Sequence, residues 1–214
     1  GGTLGAVMLQ TPAHTFNKVL RISHWVFFPP SHDIDRAIEQ VKSWSQKARQ
    51  EGYLALEEVA LTHPDPYVAK GLSLLIDGNS EQKLRDALEI DLLLERERLL
   101  EASRVYEALG GYSPTIGILG AVLGLIQAMS FITEPEKLGA GVATAFIATI
   151  YGVGLANLLF LPMANKLKQQ VEQKMLFHEL LAEGIIAMSQ GDSPVNIELK
   201  LEAYRVERPS QLQE

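Results

Sequence analysis

The sequence predicts an all-α integral membrane protein: a transmembrane helical hairpin plus a partial N-terminal span, with a helical cytoplasmic domain. Three observations predict it. Pro114 to Ile132 is a run of 19 residues without Asp, Glu, Lys, Arg or His, and Leu138 to Pro162 is a second such run of 25. At 1.5 Å per residue these reach about 28 Å and about 37 Å, against a hydrocarbon core about 30 Å thick. Only Thr133 to Lys137 (TEPEK) separates the runs, so they form a tight antiparallel hairpin. The rest of the chain carries apolar residues at helical spacing and no convincing strand.

Chain averages hide this division. The 214 residues carry a net charge of −7, with 47% hydrophobic and 21% charged residues, which are ordinary values. The mean hydropathy of +0.06 is what very apolar and very polar segments give when averaged. A pair of buried helices in a soluble core is the competing reading of the two runs. Few domains of this size hold two adjacent, uncharged helices of membrane length.

Residues 1–28 are expected to be part of a span and its interface. The chain opens GGTLGAVML, apolar for nine residues, then meets Gln10, Thr11 and Pro12. Nine helical residues reach about 14 Å, half a bilayer. No basic region precedes them, which makes a poor signal peptide, so the sequence is expected to start inside an earlier span. Lys18, Arg21, Trp25, Phe27 and Phe28 suit its cytoplasmic interface, and Pro29-Pro30 ends it.

Residues 29–109 are expected to form a cytoplasmic helical domain. From 31 to 109 there are 16 acidic and 10 basic residues, so this block holds nearly all of the excess negative charge. A helix starting near Ser31 or Asp33 and ending at Gly52 places Ile34, Ile38, Val41 and Trp44 on one face. A short helix, Tyr53 to Leu61, stops at the breaker THPDP, and another begins at Pro66 and ends at Asp77-Gly78. A longer helix starts after Asn79-Ser80 and is expected to end at Gly110-Gly111. Then come a span over 110–132, a periplasmic turn over 133–137, suited by Pro135, and a span over 138–162. Residues 163–214 read as C-terminal cytoplasmic helices, breaking near Gly191, and a polar tail. Basic residues set the orientation: Arg96, Arg98 and Arg104 precede the hairpin, Lys166, Lys168 and Lys174 follow it, and its tip has one Lys against two Glu. The tip is therefore expected in the periplasm.

Several function classes are disfavoured. Without cysteine there is no disulfide framework, thiol nucleophile or Cys-type zinc site. An acidic chain lacks the clustered Lys and Arg of a general nucleic-acid binder. The five histidines show no metal-ligand spacing, and Gly117-x-x-Gly120 lies inside an uncharged run, where it does not read as a phosphate loop. No catalytic constellation, metal site or cofactor is expected.

The hairpin carries two stripes of small residues: Gly117, Ala121, Gly124 and Ala128, then Gly141, Ala145, Ala148, Gly152 and Ala156. In lipid such stripes let helix backbones approach closely. They serve the hairpin, a partner helix, or both. Thr115, Gln127, Thr144, Thr149 and Asn157 are the polar residues inside, and Thr149, beside the stripe and midway along its span, is positioned for a narrow polar path. An ion path usually needs a carboxylate as well, and neither run has one. Another chain, or membrane sequence preceding residue 1, must supply it.

The stretches GGYSPTIGILGAVLGLIQAM (110–129) and ATAFIATIYGVGLANLLFLPMANKL (143–167) resemble the flagellar motor stator A-subunits, the MotA and PomA family within the wider group of TolQ and ExbB. KARQEGYLALEEV (47–59) is similar to the cytoplasmic segment that family places between its second and third spans, and GGTLGAVMLQTP to the second half of the second span. The likeness covers the whole sequence and implies a bacterial inner-membrane, multi-pass protein lacking the first span and part of the second. It makes Pro114 and Pro162 residues that couple ion flow to movement, and Thr149 the hydroxyl beside the ion path. It puts Ala121 where sodium-driven relatives tend to carry Thr, so the implied ion is the proton, with sodium as the alternative. Arg49 and Glu57 match the charged pair that meets the rotor switch protein FliG. The implied partners are further copies of the chain in a pentameric ring, membrane lipid, and a B-subunit of MotB or PomB type supplying a transmembrane Asp and a peptidoglycan anchor. Two rivals remain: a TolQ/ExbB-type channel energising envelope transport, and a non-conducting membrane scaffold.

Overall fold

A computed structural model of the chain describes residues 1–206, apart from the side chains of His14, Asn17, Lys18, Leu20 and Val206. The expected tail beyond 206 and the side chain of Lys18 thus lie outside the described residues. Every regular element described is helical: α1 (Gly2–Gln10), α2 (Ala13–Ser23), α3 (Ile34–Glu51), α4 (Glu57–Thr62), α5 (Pro66–Ile76), α6 (Glu81–Met129), α7 (Pro135–Leu155), α8 (Leu161–Ser189), α9 (Pro194–Leu201) and α10 (Ala203–Val206). Short 3-10 turns cover His24–Val26 and Tyr53–Leu56, and a π turn over Ala156–Phe160 joins α7 to α8. The helices form two compact units, 1–29 with 98–170, and 30–97 with the described residues from 171 onward.

In the second unit the starts and stops follow from local chemistry. The Asp33 side chain accepts from the Arg36 amide at 3.1 Å and caps α3, satisfying one of the donors that a helix start leaves unpaired. Gly52, at φ 84°, ends α3 in a conformation that costs a residue with a Cβ far more. Asp65 caps α5 by accepting from the Tyr67 amide, with Pro66 in the first turn, where its missing N–H matters least. The core joins Ile38, Val41, Leu56, Leu72, Leu84 and Leu88 to Leu180, Ile185, Ile197 and Leu201. Gly184 permits its densest point, since a Cβ there would lie 2.6 Å from Val41 Cγ1. The first unit has a smaller core of Val7, Val19, Ile22, Val26, Ala102, Val105, Leu109 and Leu167.

Two expectations are corrected in the first unit. The helix expected to end at Gly110-Gly111 does not end there, because α6 continues to Met129. Neither glycine takes the positive φ that terminates a helix, and Gly110 serves packing instead: a Cβ on it would lie 2.6 Å from Leu161 Cδ2. The hairpin turn, expected over 133–137, instead occupies 130–134, and Pro135 lies in the first turn of α7, a position that its fixed φ favours.

Two helical stretches, Glu81–Met129 and the unbroken Pro135–Ser189, are long and apolar enough to cross a membrane, and only 17% of each apolar window is buried. A core helix of a soluble protein would be mostly covered. Leu123, Ile126, Phe146, Ile150 and Leu158 all face outward instead.

Candidate functional site

The hairpin seam is built from glycine and alanine on both sides. A Cβ on Gly152 would lie 2.6 Å from the Ser113 carbonyl oxygen and 2.9 Å from Gly117 Cα, and one on Gly117 would lie 2.9 Å from the Ala148 oxygen and 3.4 Å from Thr149 Cα. Further along, Gly124 faces Ala145, whose Cβ would be 3.0 Å away, and Gly141 faces Ala128 at 2.7 Å. The structure therefore brings Gly117, Gly124, Gly141, Ala145, Ala148 and Gly152 together, backbone against backbone. Ala121 and Ala156 are buried and Thr149 is half-buried beside Gly117.

Other polar groups of the hairpin bond their own helices. Thr115 Oγ1 donates to the Tyr112 oxygen and Thr144 Oγ1 to the Ala140 oxygen, each at 2.9 Å, and Asn157 Nδ2 donates to the Val153 oxygen at 3.0 Å. Back-bonding of this kind leaves little spare hydrogen-bonding capacity. The seam contains nothing that binds and releases a proton.

The two prolines sit differently. Pro114 lies inside α6, half-buried, and its ring removes the N–H that the Gly110 carbonyl would have accepted from. Pro162, exposed, follows the π turn in which the Leu161 amide donates to the Ala156 oxygen, five residues back instead of four. One inserted residue of this kind takes up the irregularity that a proline imposes on a helix.

In the second unit, Arg49 and Glu57 are both exposed, on either side of the Gly52 turn, and no ion pair joins them. Arg49 Nη2 donates to the Gly191 oxygen at 2.8 Å, where Gly191, at φ 77°, follows the end of α8. Its guanidinium thus partly satisfies a helix C-terminus. Tyr53 Oη donates to the Met188 oxygen at 2.7 Å, and these residues line a cleft of about 460 Å³.

Sequence reasoning missed a third feature, a buried charged cluster in this unit. His178 is 1% exposed, with Nε2 2.9 Å from Asp65 Oδ2 and Nδ1 at ion-pair distance, 3.2 Å, from Glu95 Oε2. Lys174 Nζ donates to the other Glu95 oxygen at 2.6 Å, and the Tyr67 ring stacks on the imidazole at 4.6 Å. Burial opposes charge on His178, yet the two carboxylates outweigh it and raise its pKa. Burial likewise opposes ionisation of Asp65, but its bond to His178 holds it at about 2. The His178 contact, against burial and with help from Lys174, holds Glu95 at about 2. One imidazole therefore ties the start of α5 to α6 and α8. The partners lie 113 residues apart in sequence, and no local pattern links them.

Comparison with known proteins places this geometry. Residues 60–179 match the model of the MotA/TolQ/ExbB proton channel family. Motility protein A of Bacillus subtilis is 34% identical over 95% of this chain and 76% of its own length. Among solved structures, C. jejuni MotAB superposes with a TM-score of 0.91 at 26% identity, covering 100% of this chain and 84% of the other. The flagellar MotAB stator complex from Bacillus subtilis gives 0.87 at 34% identity, covering 95% and 80%.

Proposed function

The chain belongs to the MotA/TolQ/ExbB proton channel family, and we propose that it is the A-type stator subunit of a bacterial flagellar motor. It passes ions, protons in preference to sodium, through a channel shared with a B-subunit and turns their flow into torque on the rotor. One observation carries this reading: a glycine-lined hairpin, largely uncovered and with no carboxylate in either charge-free run, matches chains solved as MotAB complexes. Such a hairpin cannot relay a proton alone, so the B-subunit supplies the carboxylate and the anchor to peptidoglycan.

In this reading copies of the chain form a ring, a pentamer, in the bacterial inner membrane, with the hairpin tip in the periplasm. Phe27 and Phe28, 72% and 77% exposed, rest at the cytoplasmic interface. Thr149 and Ala121 lie beside the ion path. Pro114 and Pro162 let the hairpin helices flex as the partner's Asp takes up and releases its proton. Arg49 and Glu57 meet the rotor switch protein FliG. Each charge crossing the membrane releases about 2.3 kcal/mol per 100 mV, so torque comes from many small repeated steps.

Complementation tests this reading. Expressed at full length with its B-subunit in a stator-deleted bacterium, the protein is expected to restore swimming. Restored envelope transport in a strain lacking TolQ or ExbB, with no swimming, would assign it to that branch instead. Equal swimming by wild type and by variants at both Thr149 and Pro114 would leave it no role in conduction or coupling.

A further inference from the structure

The segment carrying Glu57 has two faces. Leu56 and Ala60 point into the core, while Leu54 and Leu61, one turn to either side of Glu57 and Glu58, are 72% and 80% exposed. Residues at i, i+3, i+4 and i+7 line one side of a helical turn, so the outer face reads leucine, two carboxylates, leucine. Among the described residues no cation pairs with Glu57 or Glu58, whereas Glu172, Glu183 and Glu198 each pair within the unit. Two unpaired carboxylates between exposed leucines are free to take a cation brought from outside. An exposed ion pair alone is weak and screened by salt. Apolar side chains closing around such a pair exclude water and strengthen it, as the near-neutral rim does around an interface hot spot.

We infer that Leu54 and Leu61 are the apolar flanks of the rotor contact, and that their partner is a surface presenting one Arg or Lys between two apolar side chains. The inference rests on the proposed rotor role of Glu57 and adds to it. Contact made this way is amphipathic, and it excludes partner faces that carry charge alone.

Photocrosslinking in motile cells tests it, with benzoylphenylalanine placed at 54, 58 or 61 in the full-length subunit assembled with its B-subunit. Crosslinks to the rotor switch protein from all three positions are expected. Crosslinks from 58 without any from 54 or 61 overturn the leucine contact and leave the rotor reading standing. No rotor crosslink from any position, or crosslinks only to a second copy of the chain, overturn both. In parallel, the double variant Leu54→Gln/Leu61→Gln should reach the membrane at the wild-type level yet lose at least threefold in stall torque. Paired methionines should retain wild-type torque. Unchanged torque in the glutamine variant at full and at raised ionic strength would contradict the inference.

Discussion

His178 lies between Asp65 and Glu95 with 1% of its side chain exposed, and Lys174, Tyr67 and His32 complete its surroundings. Its raised pKa means that the folded state binds the proton more tightly than the unfolded one. That contribution to stability is complete below the ordinary value of 6.5 and is lost as pH climbs through the raised value. Asp65 and Glu95, held at about 2, act in the opposite sense: their contributions are present above the ordinary 3.8 and 4.5 and are lost as pH falls towards 2. The cluster is therefore most stabilising between pH 4.5 and 6.5. Thermal unfolding of the purified complex should show a stability loss on the alkaline side that His178→Gln removes. The variant should also be less stable near pH 6 by on the order of 2 kcal/mol, below the range for a fully buried broken pair because the carboxylates are partly exposed. An unchanged alkaline limb in the variant would remove His178 as its source.

The hairpin makes a sharper prediction at the level of the element. Gly152→Val would drive a Cβ to 2.6 Å from the Ser113 oxygen, a backbone atom that cannot move aside. Overpacking of this kind costs about 1–3 kcal/mol, so loss of the assembled complex is expected on native electrophoresis. Gly154→Ala, with nothing within 4 Å of its added Cβ, should assemble normally. Pro114→Ala separates coupling from stability: restoring a helix hydrogen bond should maintain or raise thermal stability while swimming is lost. Swimming at the wild-type rate would show that the proline is not a hinge. The stripes themselves were legible, because a 4-3-4 spacing of small residues leaves few geometries open. The end of α6 was not. Gly110-Gly111 reads locally as a helix stop, and only Leu161, 51 residues beyond Gly110, shows that Gly110 is a packing position.

For the whole molecule, the two charge-free runs and the helical spacing of apolar residues prescribe an all-helical membrane fold. Burial patterns such as Ile34, Ile38, Val41 and Trp44 followed from spacing alone. The His178 cluster and the bond from Arg49 to Gly191 did not, since each joins residues more than 100 positions apart. The absence of a carboxylate from both runs also belongs to this scale, because it leaves the hairpin without the group that an ion path usually needs. In sodium-free medium, cells carrying this subunit with its B-subunit should swim at the rate seen in sodium; immotility there would make sodium the driving ion. The central claim is tested most directly by proton influx, read as cytoplasmic acidification on co-expression with a B-subunit freed of any plug. Influx is predicted only when the B-subunit retains its transmembrane Asp, and it should fall to background with Asn in that place. Equal influx with Asn, or influx through this chain alone, would contradict the account.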